Sequence, residues 1–426
     1  MASSQMPRKT APPPSAARRS SLTGIRVIEV GQNISTPFCG KLLTDLGAEV
    51  IKIEPLGGDA LRTYGPFPGD WPDAEASGLF IYLNAGKKSI TLDLSAPTGK
   101  RVTQSLLEEA DVLLIDAGDA KAAGWIPDWE PIGKTNPKLI VTSVSVFGKA
   151  GPHAHYQGGG LQAAAGSVAY HLGDPDRTPL IPPVREAEYW GGLQACAATM
   201  TALYWRLSSG KGQEIDISTM ESLSTLVNGH RDLRAVRHGM VASVGFGGDT
   251  PRQGYHGWLL PWVILPCKDG YVVIMSSSVR HWQRYLGLMD DQPWTADHRI
   301  LNLDRQWIER KLGFDTLDAY QMQWLGQRTR KDLFHLFGKI NVPYQPVHKI
   351  DEVVDSQHIR HRRFLKEVKI PGLGFIRMPG LPFHLPAAPA QTGPSPRLGE
   401  HNQEVLGGLL GLCRHECAAM RGGGIA

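Results

Sequence analysis

The stretch Arg26–Asp59, RVIEVGQNISTPFCGKLLTDLGAEVIKIEPLGGD, decides the architecture. Arg26–Val30 is rich in Val and Ile and is bounded by Gly24 and Gly31, which predicts a strand. Gly31, Gln32 and Asn33 then turn the chain. Pro37–Leu46 has helical spacing, and Glu49–Glu54 is a second strand rich in Val and Ile. Working outward, strand-like runs recur at Ser89–Leu94, Val112–Asp116 and Leu139–Phe147. Between two of them lies Ala96–Ala110, with Val102, Leu106 and Leu107 at helical spacing and Ser95 as its expected N-cap. Strands alternating with helices predict an α/β fold with a mostly parallel sheet covered by helices on its faces. The first strand runs into Gly31-Gln32-Asn33-Ile34, and Gly57-Gly58 follows a later strand without opening a helix. The Gly-rich phosphate loop of nicotinamide enzymes is therefore absent.

Farther along, Glu188–Leu207 is rich in small and apolar residues, which predicts a closely packed helix. In SSGKGQEIDISTMESL, a turn at Gly210–Gly212 leads to a strand at Glu214–Ile217. Ser218 and Glu221 have capping-box spacing for a helix beyond it. From about Met240 the composition shifts toward Gly, Trp, Pro and other aromatics. Pro266–Met275 reads as a strand pair around Asp269-Gly270. The expected organisation is an N-terminal extension at 1–23, a large domain over 24–234, a smaller α/β domain over 235–345, and a return to the large domain over 346–426. The final HNQEVLGGLLGL is expected as a helix in that return.

The chain has 426 residues, 42% hydrophobic and 20% charged, which are ordinary proportions for a globular protein. Its net charge of +4 suits an anionic ligand without singling one out. No run of about 18 apolar residues occurs, so no membrane span is expected. The five cysteines, Cys39, Cys196, Cys267, Cys413 and Cys417, are scattered and odd in number, which argues for a reducing cytoplasm rather than a disulfide framework. Cys413 and Cys417 flank His415, but no further ligands complete a metal site, so they are expected to be unpaired helical thiols. Residues 1–23 are basic, rich in Ser and Pro, and without an acidic residue. A disordered tail fits that composition; a transit peptide shares it, although Ala11-Pro12-Pro13-Pro14 opposes an amphipathic helix.

These motifs resemble the family III CoA-transferases, the carnitine dehydratase/bile-acid-inducible family. The resemblance rests on Gln32, Pro37, Gly40, Asp45, Gly47, Lys52, Glu54, Gly58 and Asp59. Asn84, Gly86, Lys87, Ser89 and Thr91 add to it, as do Gly148, Gly151 and Pro152. SGKGQEIDIS and PCKDGYV resemble two further segments of the family. The resemblance implies a doubly wound domain with a smaller domain, and two chains interlocked like links. The substrates implied are an acyl-CoA and a carboxylic acid, with no metal or prosthetic group, since the thioester brings its own CoA. No nucleic-acid or membrane partner is expected.

The family uses an Asp carboxylate as nucleophile. Read back without gaps from Gly192-Leu193, that column holds Glu188, with Glu186 as a weaker alternative. Glu has the same functional group but one more methylene, about 1.5 Å of added reach. A helix-initial Glu favoured by the helix dipole is the structural alternative. Gln32 matches the family's residue beside the nucleophile, and a plain turn residue is its alternative. The family's G-Y-D is Gly158-Gly159-Gly160 here, which places Gly159 and Gly160 at the expected acyl-CoA site and makes racemase chemistry improbable. The family's E-N-F-R-P-G is Ile115–Ala120, without the Arg that would hold a phosphate. Lys87 and Lys88, with Asn84, are the expected CoA contacts, Lys acting as a point charge on phosphate; a solvated turn is their alternative. GFGGD (Gly245–Asp249) is either a mobile loop over the site or a linker.

A scaffold that resembles the family's, with a substituted nucleophile and an eroded nucleotide segment, leads to three expectations. The first is a CoA-transferase subunit working beside a paralogous chain, as in heteromeric members of the family such as benzylsuccinate CoA-transferase. The second is an active homodimeric transferase or intramolecular CoA-transferring isomerase using Glu188. The third is a non-catalytic acyl-CoA-binding or scaffolding subunit.

Overall fold

The computed structural model describes residues 19–118, 129–167, 169, 177–181, 183–225, 262–276, 278–304 and 307–426. Residue contacts divide the chain into two units. The first draws on the described residues of Met1–Ala163, Pro183–Leu223 and Arg360–Ala426. The second draws on those of Ala164–Pro182 and Ser224–Ile359.

The first unit is built on a parallel sheet of β1 (Arg26–Val30), β2 (Glu49–Glu54), β3 (Lys88–Thr91), β4 (Val112–Asp116), β5 (Ile140–Ser145) and β6 (Glu214–Ser218). Their spatial order is β3-β2-β1-β4-β5-β6, so the winding reverses between β1 and β4. Val27 stands opposite Val50 of β2 and Val112 of β4, so β1 lies at the sheet centre. Successive side chains of a strand point to opposite faces. Accordingly, Ile28, Ile51, Leu113 and Val141 join one core, whereas Val27, Val50, Leu114 and Ile140 join the other.

Each core is closed by helices. On one face, α2 (Pro97–Glu108) contributes Val102, Leu106 and Leu107, and the C-terminal segment contributes Val405, Leu406 and Met420. The expected cap of α2 moves by one position. Ala96 is the N-cap, and the Ser95 hydroxyl donates instead to Asp93 at 2.6 Å. Pro97, at the first helical position, needs no amide partner there. The tail HNQEVLGGLLGL does return to this core, but Gln403–Leu409 winds as a π-helix before the α-helix Arg414–Gly422. The other face is covered by α1 (Ser35–Asp45) and by a later helix, α5 (Glu186–Ser209). Cys39 and Leu43 of α1 pack with Ala195, Cys196 and Leu203 of α5.

The described part of the second unit holds an antiparallel sheet of β7 (Trp262–Cys267), β8 (Gly270–Met275) and β9 (Tyr344–Pro346). Lys268 and Asp269 make the turn expected in that segment. The core of this unit is aromatic, with Trp282, Tyr285, Trp324 and Phe337 all buried. Among the described residues, no helix is long and apolar enough to cross a membrane.

Candidate active site

In an open α/β sheet, ligands bind beyond the carboxyl ends of the strands, where the winding reverses. Here that point lies past β1 and β4. A cavity of about 650 Å³ sits there, wholly within the first unit. Its wall takes Gln32 and Asn33 from the turn after β1, Asp116 and Gly118 from the end of β4, and Ser145 and Gly148 from the end of β5. Gly158–Gly160, Arg185 and Glu188 also line it.

Glu188 reaches the cavity because of where α5 begins. Arg185 is the N-cap, so Glu188 sits in the first turn of a 24-residue helix. That turn is fixed against α1. The Ser35 hydroxyl donates to the Glu188 carbonyl at 2.8 Å, and Gly192 lies so close to α1 that a Cβ there would stand 2.5 Å from the Ser35 carbonyl. Tyr189 packs edge-on against Phe38 at 4.9 Å. Burial pushes the Tyr189 phenol up, and Arg185 opposes that shift. Glu188 Oε2 is withdrawn from solvent and has no hydrogen-bond partner among the described residues. A buried carboxylate oxygen without a partner is costly, which makes Glu188, beside the cavity, a candidate for a role other than stability.

Gln32 is half-buried on the same wall, and its Oε1 accepts the Ala60 amide at 3.0 Å. Gly160 begins the short helix α4 (Gly160–Ala165), which follows α3 (Trp129–Thr135) in the chain. Gly159 N–H donates to Gln162 Oε1 at 2.9 Å. Thus Gln32, Gly159, Gly160 and Glu188 share one cavity.

Lys87, Lys88 and Asn84 do not line it. The Lys87 amine is fully buried and donates to Glu29 Oε2 at 2.7 Å, to the Pro37 carbonyl at 2.8 Å and to Asn84 Oδ1 at 3.0 Å. Those three bonds use every proton of an ammonium group. Burial pulls its pKa down to about 8, with Glu29 opposing the shift. Lys88 is half-exposed and paired with Glu49 and with Glu404 at 2.7 Å. The sequence expectation of phosphate contact thus meets lysines that are bound to carboxylates. GFGGD lies outside the described residues, and Glu186 is exposed without lining the cavity.

Arg185 and Tyr64 also line the cavity, and neither stands out in the sequence. The Arg185 guanidinium lies 5.2 Å from the centre of the Tyr64 ring, within cation–π range. Val184 and Arg185 both have left-handed φ, 53° and 58°. Such backbone is costly away from glycine and concentrates at functional sites. The available signal was an Arg three residues before the candidate nucleophile; its contact with Tyr64 spans too much sequence for local spacing to reveal.

Fold and cavity together define a doubly wound α/β enzyme with a carboxylate at the switch point of its sheet. A model of the family described as CoA-transferase family III matches residues 22–402. The chain is 30% identical to the succinyl-CoA–L-malate CoA-transferase beta subunit of Chloroflexus aurantiacus, over 94% of this chain and 96% of the relative. It is 30% identical to the formyl-CoA:oxalate CoA-transferase of Bradyrhizobium diazoefficiens, over 93% of this chain and 95% of the relative. A solved CaiB/BaiF family protein from Brucella suis superposes with a TM-score of 0.78 at 27% identity, covering 92% of this chain and 100% of that one. The chain belongs to the family III CoA-transferases and is an enzyme of that family.

Proposed function

We propose that this chain moves CoA between an acyl-CoA and a dicarboxylic acid, with Glu188 as the nucleophile. The observation that carries the reading is the Glu188 carboxylate, with one oxygen buried and unpartnered, in a cavity at the switch point of the sheet. The substrate class rests on the two relatives, whose names pair an acyl-CoA with malate and with oxalate.

The chemistry divides one exchange into near-balanced steps. The Glu188 carboxylate attacks the thioester carbonyl, forming a mixed anhydride and expelling CoA thiolate. The thiolate attacks the Glu188 carbonyl of that anhydride, releasing the donor acid and leaving a Glu188–CoA thioester. The acceptor carboxylate attacks this thioester, giving a second anhydride and thiolate. Attack of that thiolate on the acceptor acyl carbon yields the new acyl-CoA and restores Glu188. Each addition passes through an oxyanion, and hydrogen-bond donors placed at that oxygen lower the barrier. In this reading Gln32 lies beside the reacting carbonyl and Arg185 takes the distal carboxylate of the acid. CoA enters as substrate, and no resident cofactor is required.

The test uses succinyl-CoA with a panel of C2–C5 dicarboxylic acids. Glu188→Gln is expected to lose at least about 10³-fold in turnover, as when a covalent nucleophile is removed. Hydroxylamine added during turnover should leave a hydroxamate on the peptide bearing Glu188. Full activity in Glu188→Gln would sink the assignment.

A second reading is favoured by the relative that is itself a beta subunit. In it the active species pairs this chain with a paralogous one. Native mass spectrometry decides: a homodimer that turns over alone removes the partner, whereas an inactive chain revived by a paralogue requires it.

A further inference from the structure

Gly160 stands against the Glu188 carboxylate. A Cβ built on Gly160 would lie 2.2 Å from Glu188 Oε2 and 2.4 Å from both Cδ and Oε1, far inside contact distance. The other two glycines of the run do not face this group. A Cβ on Gly159 would meet nothing nearer than Gln162 Oε1 at 3.9 Å, and one on Gly158 would meet Gln162 Cβ at 3.2 Å. Gly160 does not have a left-handed φ, so space rather than backbone conformation calls for glycine there. The obstructing atoms are the end of a flexible side chain. A methyl group at 160 can therefore be accommodated, but only by moving the carboxylate.

We propose that Gly160 is a positioning residue: the missing side chain is the seat in which the long Glu188 side chain holds its carboxylate for attack. The catalytic role of that carboxylate rests on the function proposed above; the seat itself does not. A Glu at 188 and a residue without a side chain at 160 then form one unit. An Asp at 188 would withdraw the carboxylate from the seat and no longer need it. The buried, unpartnered Oε2 fits this arrangement, since contact with Gly160 keeps water away without supplying a hydrogen bond.

Four proteins test the proposal: the wild type, Gly160→Ala, Glu188→Asp and the double variant. Each is assayed for exchange between succinyl-CoA and the best acid of the panel. A carboxylate displaced by about 1 Å costs on the order of 100-fold in rate. Gly160→Ala should therefore lose about 100-fold in kcat, with KM for succinyl-CoA and the melting temperature little changed. In the Asp background the same substitution should cost less than about 3-fold, because the shorter side chain no longer meets the methyl group. Equal losses in the two backgrounds, or none with Glu188, overturn the proposal. Should Gly160→Ala fail to fold, the double variant carries the test: it should fold and match Glu188→Asp, and failure to do so counts against the seat. A readout independent of turnover is the 13C carboxyl resonance of Glu188, assigned by its loss in Glu188→Gln. A resonance that moves in Gly160→Ala supports the seat even if Glu188→Gln proves active and the nucleophile assignment falls; an unmoved resonance overturns the seat at any activity.

Discussion

A set of buried carboxylates and the half-buried Glu188 lie in the same unit, and they differ in whether their buried oxygens are answered. Beneath α1, Glu29 faces the Lys52 amine at 3.0 Å and the Lys87 amine at 2.7 Å, and Lys52 also reaches Asp59 at 2.6 Å. Burial works against the Lys52 charge, but Asp59, Glu29 and Glu54 outweigh it and hold its pKa above the ordinary lysine value. Glu54 is held low in turn: burial opposes its charge, and Arg62, at 2.7 Å, together with Lys52 overcomes it. At the start of α5, by contrast, Glu188 Oε2 is buried against Gly160 with no partner. Desolvated charge is tolerated when it is paired and hydrogen-bonded, and the paired set spends its charge on holding β1, β2 and α1 together. Glu188 retains a carboxylate oxygen for an incoming group. Charge alone does not mark a site; charge left unspent beside a cavity does.

The comparison can be tested at both ends, and the largest effect is expected at the unspent one. Glu188→Gln should lose at least about 10³-fold in turnover without lowering the melting temperature, because the buried Oε2 has no partner among the described residues to abandon. The opposite pattern is expected for Glu29→Gln. Removing one member of a buried ionic set leaves its partners uncompensated, at a cost of about 3–5 kcal/mol in urea unfolding. The molecules that remain folded should keep their turnover. If Glu29→Gln instead abolished turnover at full stability, the division between scaffold and site would be wrong.

The smallest effect belongs to the second unit, where the Arg330–Glu352 ion pair is only half-buried. Arg330 holds Glu352 through two bonds of 2.9 and 2.7 Å, and this pairing lowers the Glu352 pKa from 4.5 to about 2. A depressed carboxylate stabilises above its unfolded pKa, and that stabilisation is lost as pH falls through the folded one. Wild type should exceed Glu352→Gln slightly in urea midpoint at pH 6. The gap should close between pH 4.5 and about 2. A gap independent of pH would mean that packing, not ionisation, distinguishes the two proteins.

Several features of the site were legible in the sequence because they are local. Gln32 follows a strand, and Glu188 falls in a column fixed by the adjoining Gly192-Leu193. The lysines show where such reading fails. Lys87 and Lys88 sit in a turn-like segment that suggests exposure, yet Glu29 stands 58 residues from Lys87 and Glu404 lies far beyond Lys88. Nothing local announces such partners. Arg185 and Tyr64 escaped notice for the same reason.

By itself the sequence determined the alternation of strands and helices, the absence of a dinucleotide phosphate loop, the family and the candidate nucleophile. Hydrophobic periodicity and turn residues act over a few positions, so they can be read along the chain. The tertiary structure alone decided which charges are spent and which remain. It buried Lys87 under three bonds and laid the Glu188 carboxylate against Gly160. Whether a charged group binds a neighbour or a substrate depends on distances across the sheet and on the water excluded there, and neither is written in the spacing of residues.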